Sequence, residues 1–265
     1  MKQPLQALIS MITVLTVCLF YGSTVFSVFA EDMVLADTPD AGLEYQNSLL
    51  FFGESTTTHL KSRGVLTGKE RTEQILANGS GTMTLSPKIT EQEILHPKTG
   101  ERMSVTEILR LQKPAYLVLS FGLNGILGFS KDIDSYLRQY QRLIDCIQQA
   151  SPKTAIILQT VYPVRVAAKN EDWRFSVSPE EINRMIDVLN QALPSLAAAN
   201  TAVRIADTAS VLKDENGQLR ADYATEDGIH LRAEAYQAIL HYLRTHAYHL
   251  PTPLPITPDQ WRKPE

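Results

Sequence analysis

Ser48-Leu49-Leu50-Phe51-Phe52-Gly53-Glu54-Ser55-Thr56-Thr57 is a short apolar run that stops at a glycine and turns polar at once. A run that stays apolar at successive positions, without alternation, fits a strand buried on both faces. The pattern returns three times. Ala115-Tyr116-Leu117-Val118-Leu119-Ser120-Phe121 follows Pro114 and stops at Gly122, and Thr154-Ala155-Ile156-Ile157-Leu158-Gln159-Thr160-Val161 ends at Tyr162-Pro163. The fourth, shorter run is Ala202-Val203-Arg204-Ile205-Ala206. Between these runs the apolar spacing becomes helical: Tyr136, Leu137, Tyr140, Leu143, Ile144 and Ile147 share a face that ends at Ser151-Pro152. Ser178-Pro179-Glu180-Glu181 has an N-cap, a first-position proline and an acidic first turn, and leads into Ile182, Met185, Ile186, Leu189 and Leu193. A last helix is predicted over about residues 232–246. Buried strands alternating with amphipathic helices predict an α/β fold with a central parallel sheet covered on both faces.

The chain has 265 residues, 44% apolar and 20% charged, which is ordinary globular usage and enough for a sizeable core. The body is predicted as one domain over residues 48–250. Region 65–113, with Asn78-Gly79-Ser80-Gly81 and the Pro97-Lys98-Thr99-Gly100 turn, reads as short strands inserted before a helix near Ser104–Leu111. Residues 31–47 are polar, contain Pro39 and Gly42, and are expected to form a tether with little structure of its own. Pro251, Pro253, Pro255, Pro258 and Pro264 predict an extended, unpacked tail over 251–265.

Lys2 precedes an uncharged apolar run, Leu5 to Phe29, that closes on Val28-Phe29-Ala30 and then Glu31-Asp32. This is the layout of a secretory signal peptide cleaved after Ala30, with Val34-Leu35-Ala36 a second, weaker site. The run is also long enough to span a bilayer, so residues 1–30 read either as a signal peptide or as an N-terminal anchor. Both readings put the body outside the cytoplasm, secreted or tethered to the cell surface. Cys18 does not suit lipoprotein processing, because Val17 ahead of it is bulky. That leaves Cys146 the single thiol of the mature chain, expected to be buried and structural. The net charge is −4, and without residues 1–30 it is 24 − 29 = −5, which gives no electrostatic footprint for nucleic acid.

In a parallel α/β sheet the working groups gather where strands end at the carboxyl edge. Ser55 follows a strand and opens a helix, among free backbone N–H groups at the positive end of the dipole. A serine hydroxyl needs a base, and Asp227-Gly228-Ile229-His230 supplies a carboxylate three residues from an imidazole. His59, one helical turn beyond Ser55, is the rival base, but it lacks an adjacent carboxylate and reads as a surface histidine. Donors for a developing oxyanion are the Ser55 N–H, a glycine N–H from the 79–81 turn and the Asn124 amide. His241, His246 and His249 lack the spacing of a helical zinc site and read as a solvated helix end. Trp173, Arg165 and Arg174 fall in a loop expected to overhang the carboxyl edge, where they face either a sugar or an acyl chain, or simply pack.

Gly53-Glu54-Ser55-Thr56, the glycine turn at Gly81, Gly122-Leu123-Asn124 and Asp227-Gly228-Ile229-His230 stand in the order of the four blocks of the SGNH (GDSL-type) serine hydrolase family. The resemblance runs from about Ser48 to Tyr248. It looks closest to extracytoplasmic Gram-positive members, judging by Asn124-Gly125 and Tyr162-Pro163-Val164. It implies a three-layer αβα flavodoxin-like fold and ester hydrolysis through an acyl-serine, with no metal or organic cofactor. By position, Ser55 resembles the nucleophile, His230 the base and Asp227 the residue orienting it. Ser55, Asn124 and Gly81, favoured over Gly79, resemble the oxyanion donors. Two positions depart from the family pattern: Glu54 and Gly125 stand where aspartates are usual.

The resulting expectation is an exported serine esterase that removes a small acyl group, acetyl foremost, from a carbohydrate or cell-surface glycan. Its partners are then an ester substrate, no nucleic acid, and a membrane only through an uncleaved anchor. The rival expectations are an inactive glycan-binding scaffold, suggested by Glu54 and Gly125, and an O-acyltransferase built on the same triad.

Overall fold

The computed structural model describes residues 33–249. The 1–30 segment and the 251–265 tail lie outside these residues. Each apolar run forms a strand, all five strands of the main sheet are parallel, and only the ends of the runs differ from expectation by a residue or so. Strand β1 is Leu49–Gly53, preceded by helix α1 (Gly42–Ser48) and followed by α2 (Ser55–Ser62). The inserted region contributes β2 (Ile75–Leu76), the antiparallel hairpin β3 (Glu93–Leu95) and β4 (Arg102–Ser104), and α3 (Val105–Gln112). Ser104 and Glu107 form a reciprocal capping box at the start of α3. Next come β5 (Tyr116–Ser120), the short α4 (Ile126–Phe129), α5 (Ile133–Ala150) and β6 (Ala155–Gln159). Helices α6 (Pro179–Ala192) and α7 (Pro194–Ala198), strand β7 (Val203–Ala206) and α8 (Ala233–Thr245) complete the body. Pro194 explains why the helix expected to continue through Leu193 divides there: a proline inside a helix removes an N–H and crowds the preceding turn.

The sheet order is β2-β1-β5-β6-β7, and residues along each strand alternate between two cores. Leu50, Phe52, Leu117, Leu119, Ile156 and Leu158 pack under α3, α5 and α6. Phe51, Val118, Ile157 and Ala206 pack under α2 and α8. This is the three-layer αβα arrangement that the resemblance implies. The order reverses between β1 and β5, which opens a crevice at their carboxyl ends.

Three expectations are corrected. Residues 33–47 are no tether: Leu35 N–H donates to Ile205 O at 2.8 Å, Val34 bridges Ile205 in parallel, and α1 packs beside α8. The C-terminal end of α8 is only in part solvated as expected: His241 and His249 are exposed, whereas His246 is half-buried. Thr38 N–H donates to Thr245 O at 2.6 Å, and His246 stacks on Tyr242 at 3.7 Å with Asp37 at its Nε2. Polar composition hid these contacts because their partners lie about 170–210 positions away: besides the backbone bonds, Asp40 accepts from Arg244 Nε at 3.0 Å and Tyr45 Oη accepts the Tyr248 N–H at 2.9 Å. Cys146 is half-buried rather than buried. Among the described residues no helix is long and apolar enough to cross a membrane.

A buried carboxylate closes the floor of the crevice. Glu54 is 3% exposed, and its oxygens accept the N–H of Leu123 at 3.0 Å and of Asn124 at 2.8 Å. Burial pushes its pKa up to about 7, against the pull of the Asn124, Leu123 and Gly122 N–H groups. An acid raised from its ordinary 4.5 contributes stability that is complete below pH 4.5 and lost as the pH climbs through about 7. Urea midpoints of the wild type should therefore carry a falling component between those values. The Glu54→Gln variant, though less stable, should lack that component, and an unchanged slope would contradict the assignment. Leu158→Ala should cost roughly 3 kcal/mol in the same measurement, as a fully buried residue of a central strand.

Candidate active site

Ser55 is the first residue of α2, half-buried, directly after β1. At that position no helical carbonyl reaches its N–H, which stays available to an anion. The base side of the crevice is the compact loop Thr225–His230, closed by Thr225 N–H to His230 O at 2.8 Å. Asp227 Oδ1 accepts the Thr225 hydroxyl at 2.7 Å and the Ile229 and His230 N–H groups, each at 2.9 Å. Its Oδ2 lies 2.5 Å from His230 Nδ1. Burial opposes the charge on Asp227, but the His230 ring, these two N–H groups and the Thr225 hydroxyl together hold its carboxyl well below the usual carboxylate range. With the Nδ1 proton held by Asp227, the lone pair of Nε2 faces Ser55 Oγ at 3.3 Å. The carboxylate, imidazole and hydroxyl predicted from the sequence thus form one hydrogen-bonded chain, joining residues 175 positions apart.

His59, the rival base, does not reach Ser55. Its ring instead lies 4.7 Å from the His230 ring, tilted by 59°, and its buried Nδ1 has no partner. Burial, followed by the nearby His230 and Arg63, lowers its pKa to about 4. It is a neutral neighbour of the His230 ring rather than an exposed histidine.

The two glycines of the 79–81 turn are separated by geometry. A Cβ on Gly81 would sit 3.0 Å from both Cα and Cβ of Ser55, whereas a Cβ on Gly79 would point into open space. The Gly81 N–H donates to Asn78 O at 3.2 Å. Asn124 Nδ2 donates to Met83 O at 2.8 Å and lies 3.4 Å from Gly81 O. Gly81 therefore borders Ser55 with its N–H bonded inside its own turn, the Asn124 amide is tied across to that same turn, and the Ser55 N–H is the one already free. The departures from the family pattern are accommodated locally. Glu54, one methylene longer than aspartate, still reaches two N–H groups with its two oxygens. Gly125 sits at φ +92°, where a Cβ would meet the Phe129 ring at 2.9 Å, so a side chain there is strained and crowded.

Beside the Asp227–His230 loop runs the segment after β6. Arg165 N–H donates to Gly228 O at 2.9 Å and Ala168 N–H to Glu226 O at 2.7 Å. Beyond these bonds lies a cavity of about 340 Å³ lined by Val166, Ala167, Asn170, Trp173, Phe175 and Ser176. Trp173 and Phe175 are half-buried with ring centroids 5.2 Å apart, and the indole N–H is tied to Val177 O at 2.8 Å. Arg165 turns away to Leu219 O at 2.9 Å, and Arg174 is exposed. Thr225 was not among the sequence candidates, although a hydroxyl two residues ahead of a loop aspartate is a legible local signal. Among the described residues no group of three or more His, Cys, Asp or Glu gathers as a metal site.

Residues 51–238 match the model of the GDSL-like Lipase/Acylhydrolase family, a span that takes in Ser55, Asn124, Asp227 and His230. None of the curated proteins compared with the chain matches it. Solved structures similar to it include a family 3 carbohydrate esterase from Clostridium thermocellum, at 16% identity and TM-score 0.48, covering 75% of this chain and 93% of that one. A GDSL-like lipase from Bacteroides thetaiotaomicron is similar at 16% identity and TM-score 0.45, covering 77% and 89%. A carbohydrate esterase family 3 protein from Talaromyces cellulolyticus is similar at 13% identity and TM-score 0.46, covering 74% and 93%. Because the family model spans more than two-thirds of the chain, this protein belongs to the GDSL-like lipase/acylhydrolase family, the SGNH-type ester hydrolases.

Proposed function

We propose that this ester hydrolase is exported and removes a small acyl group, acetyl foremost, from a carbohydrate or cell-surface glycan, with Ser55 as nucleophile, His230 as base and Asp227 as its orienting partner. The observation that carries this reading is the chain from Asp227 Oδ2 to His230 Nδ1 at 2.5 Å and from Nε2 to Ser55 Oγ at 3.3 Å. The longer contact is of the kind that tightens when substrate excludes water.

In the proposed reaction Ser55 Oγ attacks the ester carbonyl carbon as its proton passes to His230 Nε2. The imidazolium so formed is stabilised by Asp227, already ionised. The carbonyl oxygen becomes an anion against the Ser55 N–H, with the Asn124 amide and Gly81 N–H turning from their loop partners toward it. Collapse breaks the bond to the alcohol, which leaves with the proton from His230. A water molecule, deprotonated by the same imidazole, then attacks the acyl-serine; the bond to Ser55 Oγ breaks, the serine takes the proton back from His230, and the carboxylic acid is released. The crevice supplies only what this sequence of proton transfers needs.

The glycan half of the proposal is supported by the aromatic cavity beside the base loop. A half-exposed indole with its polar tip already satisfied offers a flat apolar face to a sugar ring, and Asn170 and Ser176 at the rim suit its hydroxyls. The export half is supported by the residue pattern of 1–30.

Replacing Ser55 by Ala should lower hydrolysis of a short-chain aryl ester by about 10⁴-fold or more, and a variant as fast as wild type would end the assignment. Asn124→Ala should cost about 10²-fold in kcat. Across acetyl, butyryl and long-chain esters the acetyl ester should turn over fastest. Trp173→Ala should raise KM for an acetylated glycan far more than for aryl acetate, and an equal effect on both would remove the sugar platform. N-terminal sequencing of the exported protein should begin at Glu31.

A further inference from the structure

We infer that helix α2 does more than present Ser55: through His59 and Arg63 it also sets the position of the imidazole that meets that hydroxyl, which makes both of these positioning residues for ester hydrolysis. The inference rests on the reading of Ser55 and His230 as nucleophile and base.

Residues four apart on a helix share a face, so His59 stands one turn behind Ser55, and Arg63 caps the C-terminus one turn later. Each touches the base loop from the far end of the chain. The His59 ring lies 4.7 Å from the His230 ring. Arg63 Nε donates to Leu231 O, the carbonyl next after His230, at 3.2 Å across 168 residues. Asp227 grips His230 by one ring edge, and a single hydrogen bond leaves the ring free to swing about it. A wall against the ring face removes that freedom, and the Arg63 bond stops the loop from lifting away. The distance between hydroxyl and imidazole is then set by one rigid helix rather than by two independent loops, which is the condition for a near-attack geometry.

The wall works only if it is uncharged, since two imidazolium rings at this spacing would repel. His59 is half-buried and its Nδ1 has no partner, which disfavours a proton there. The charged groups acting on it are His230 and Asp227 from the loop and Arg63 from its own helix. Strands β1 and β2, packed against α2, carry no charged residue, and Lys69, Glu70 and Arg71 of the following turn are exposed.

The test uses the full-length chain with aryl acetate as substrate and a fluorophosphonate as a label for Ser55. His59→Ala should lower kcat about tenfold with KM within about twofold. His59→Phe keeps the wall and drops the unpartnered nitrogen, so it should restore kcat. Arg63→Ala changes an exposed side chain, and should slow turnover about threefold without loss of Tm. Combined with His59→Ala it should cost less than the product of the two effects, because both act through one loop. The inference is overturned if His59→Ala leaves kcat unchanged while Ser55 still labels, if it raises KM as much as it lowers kcat, or if Phe fails to rescue. Should His59→Ala not fold, a wild-type rate for Arg63→Ala overturns it alone. Active Ser55→Ala and His230→Ala variants would instead sink the triad reading, and this inference with it.

Discussion

The parallel pairing of β1 with β5 sets Gly53 opposite Ser120, and the Glu54 N–H extends the ladder by one more bond to Ser120 O at 3.3 Å. Every group in the crevice is placed relative to that pair of strand ends. The chain leaves β1 toward one edge of the sheet and returns to begin β5 on the other side, so the two connections diverge and leave space between them. A carboxylate at the floor of that space would be costly if unpaired. Glu54 offsets much of the cost by satisfying N–H groups of the turn that carries Asn124, and the turn in exchange gains a partner for N–H groups no helix or strand provides. Its raised pKa shows that burial still outweighs those bonds. The extra methylene relative to aspartate is absorbed without losing either oxygen.

The second requirement is that a loop from the far end of the chain meet this crevice in one orientation. The Thr225–His230 loop is largely self-supporting, since Asp227 organises two backbone N–H groups, the Thr225 hydroxyl and the imidazole from a single side chain. What it lacks internally is a fixed place in the fold. Contacts from two sides supply that: the segment after β6 bonds to Glu226 and Gly228, and α2 meets His230 and Leu231. The first of these flanking segments also forms the aromatic cavity, so the surface suited to substrate and the loop suited to proton transfer share a border.

The fold class and much of the site were legible because both are written in local patterns. Unbroken apolar runs stopped by glycine mark buried parallel strands, and each occurs within a residue or so of the strand observed. The helix start at Ser178 followed from a side chain that caps a backbone N–H group of its own first turn. Ser55 after a strand, and Asp227 three residues from His230, were readable for the same reason. The packed segment 33–47 was not, because its backbone ties to Ile205 and Thr245 and its side-chain ties to Arg244 and Ala247 all join it to residues about 170–210 positions away, which local composition does not reveal.

By itself the sequence determined which residues are chemically able to serve: one hydroxyl at a helix start, two histidines, two glycines and an asparagine at strand ends. Tertiary structure decided among them. It brought His230 rather than His59 within reach of Ser55, set Gly81 rather than Gly79 against it, and turned His59 and Arg63 toward the opposing loop. Residue type and local spacing limit what a side chain can do, whereas a hydrogen bond across 175 positions depends on how two distant backbone segments are packed on the same sheet edge.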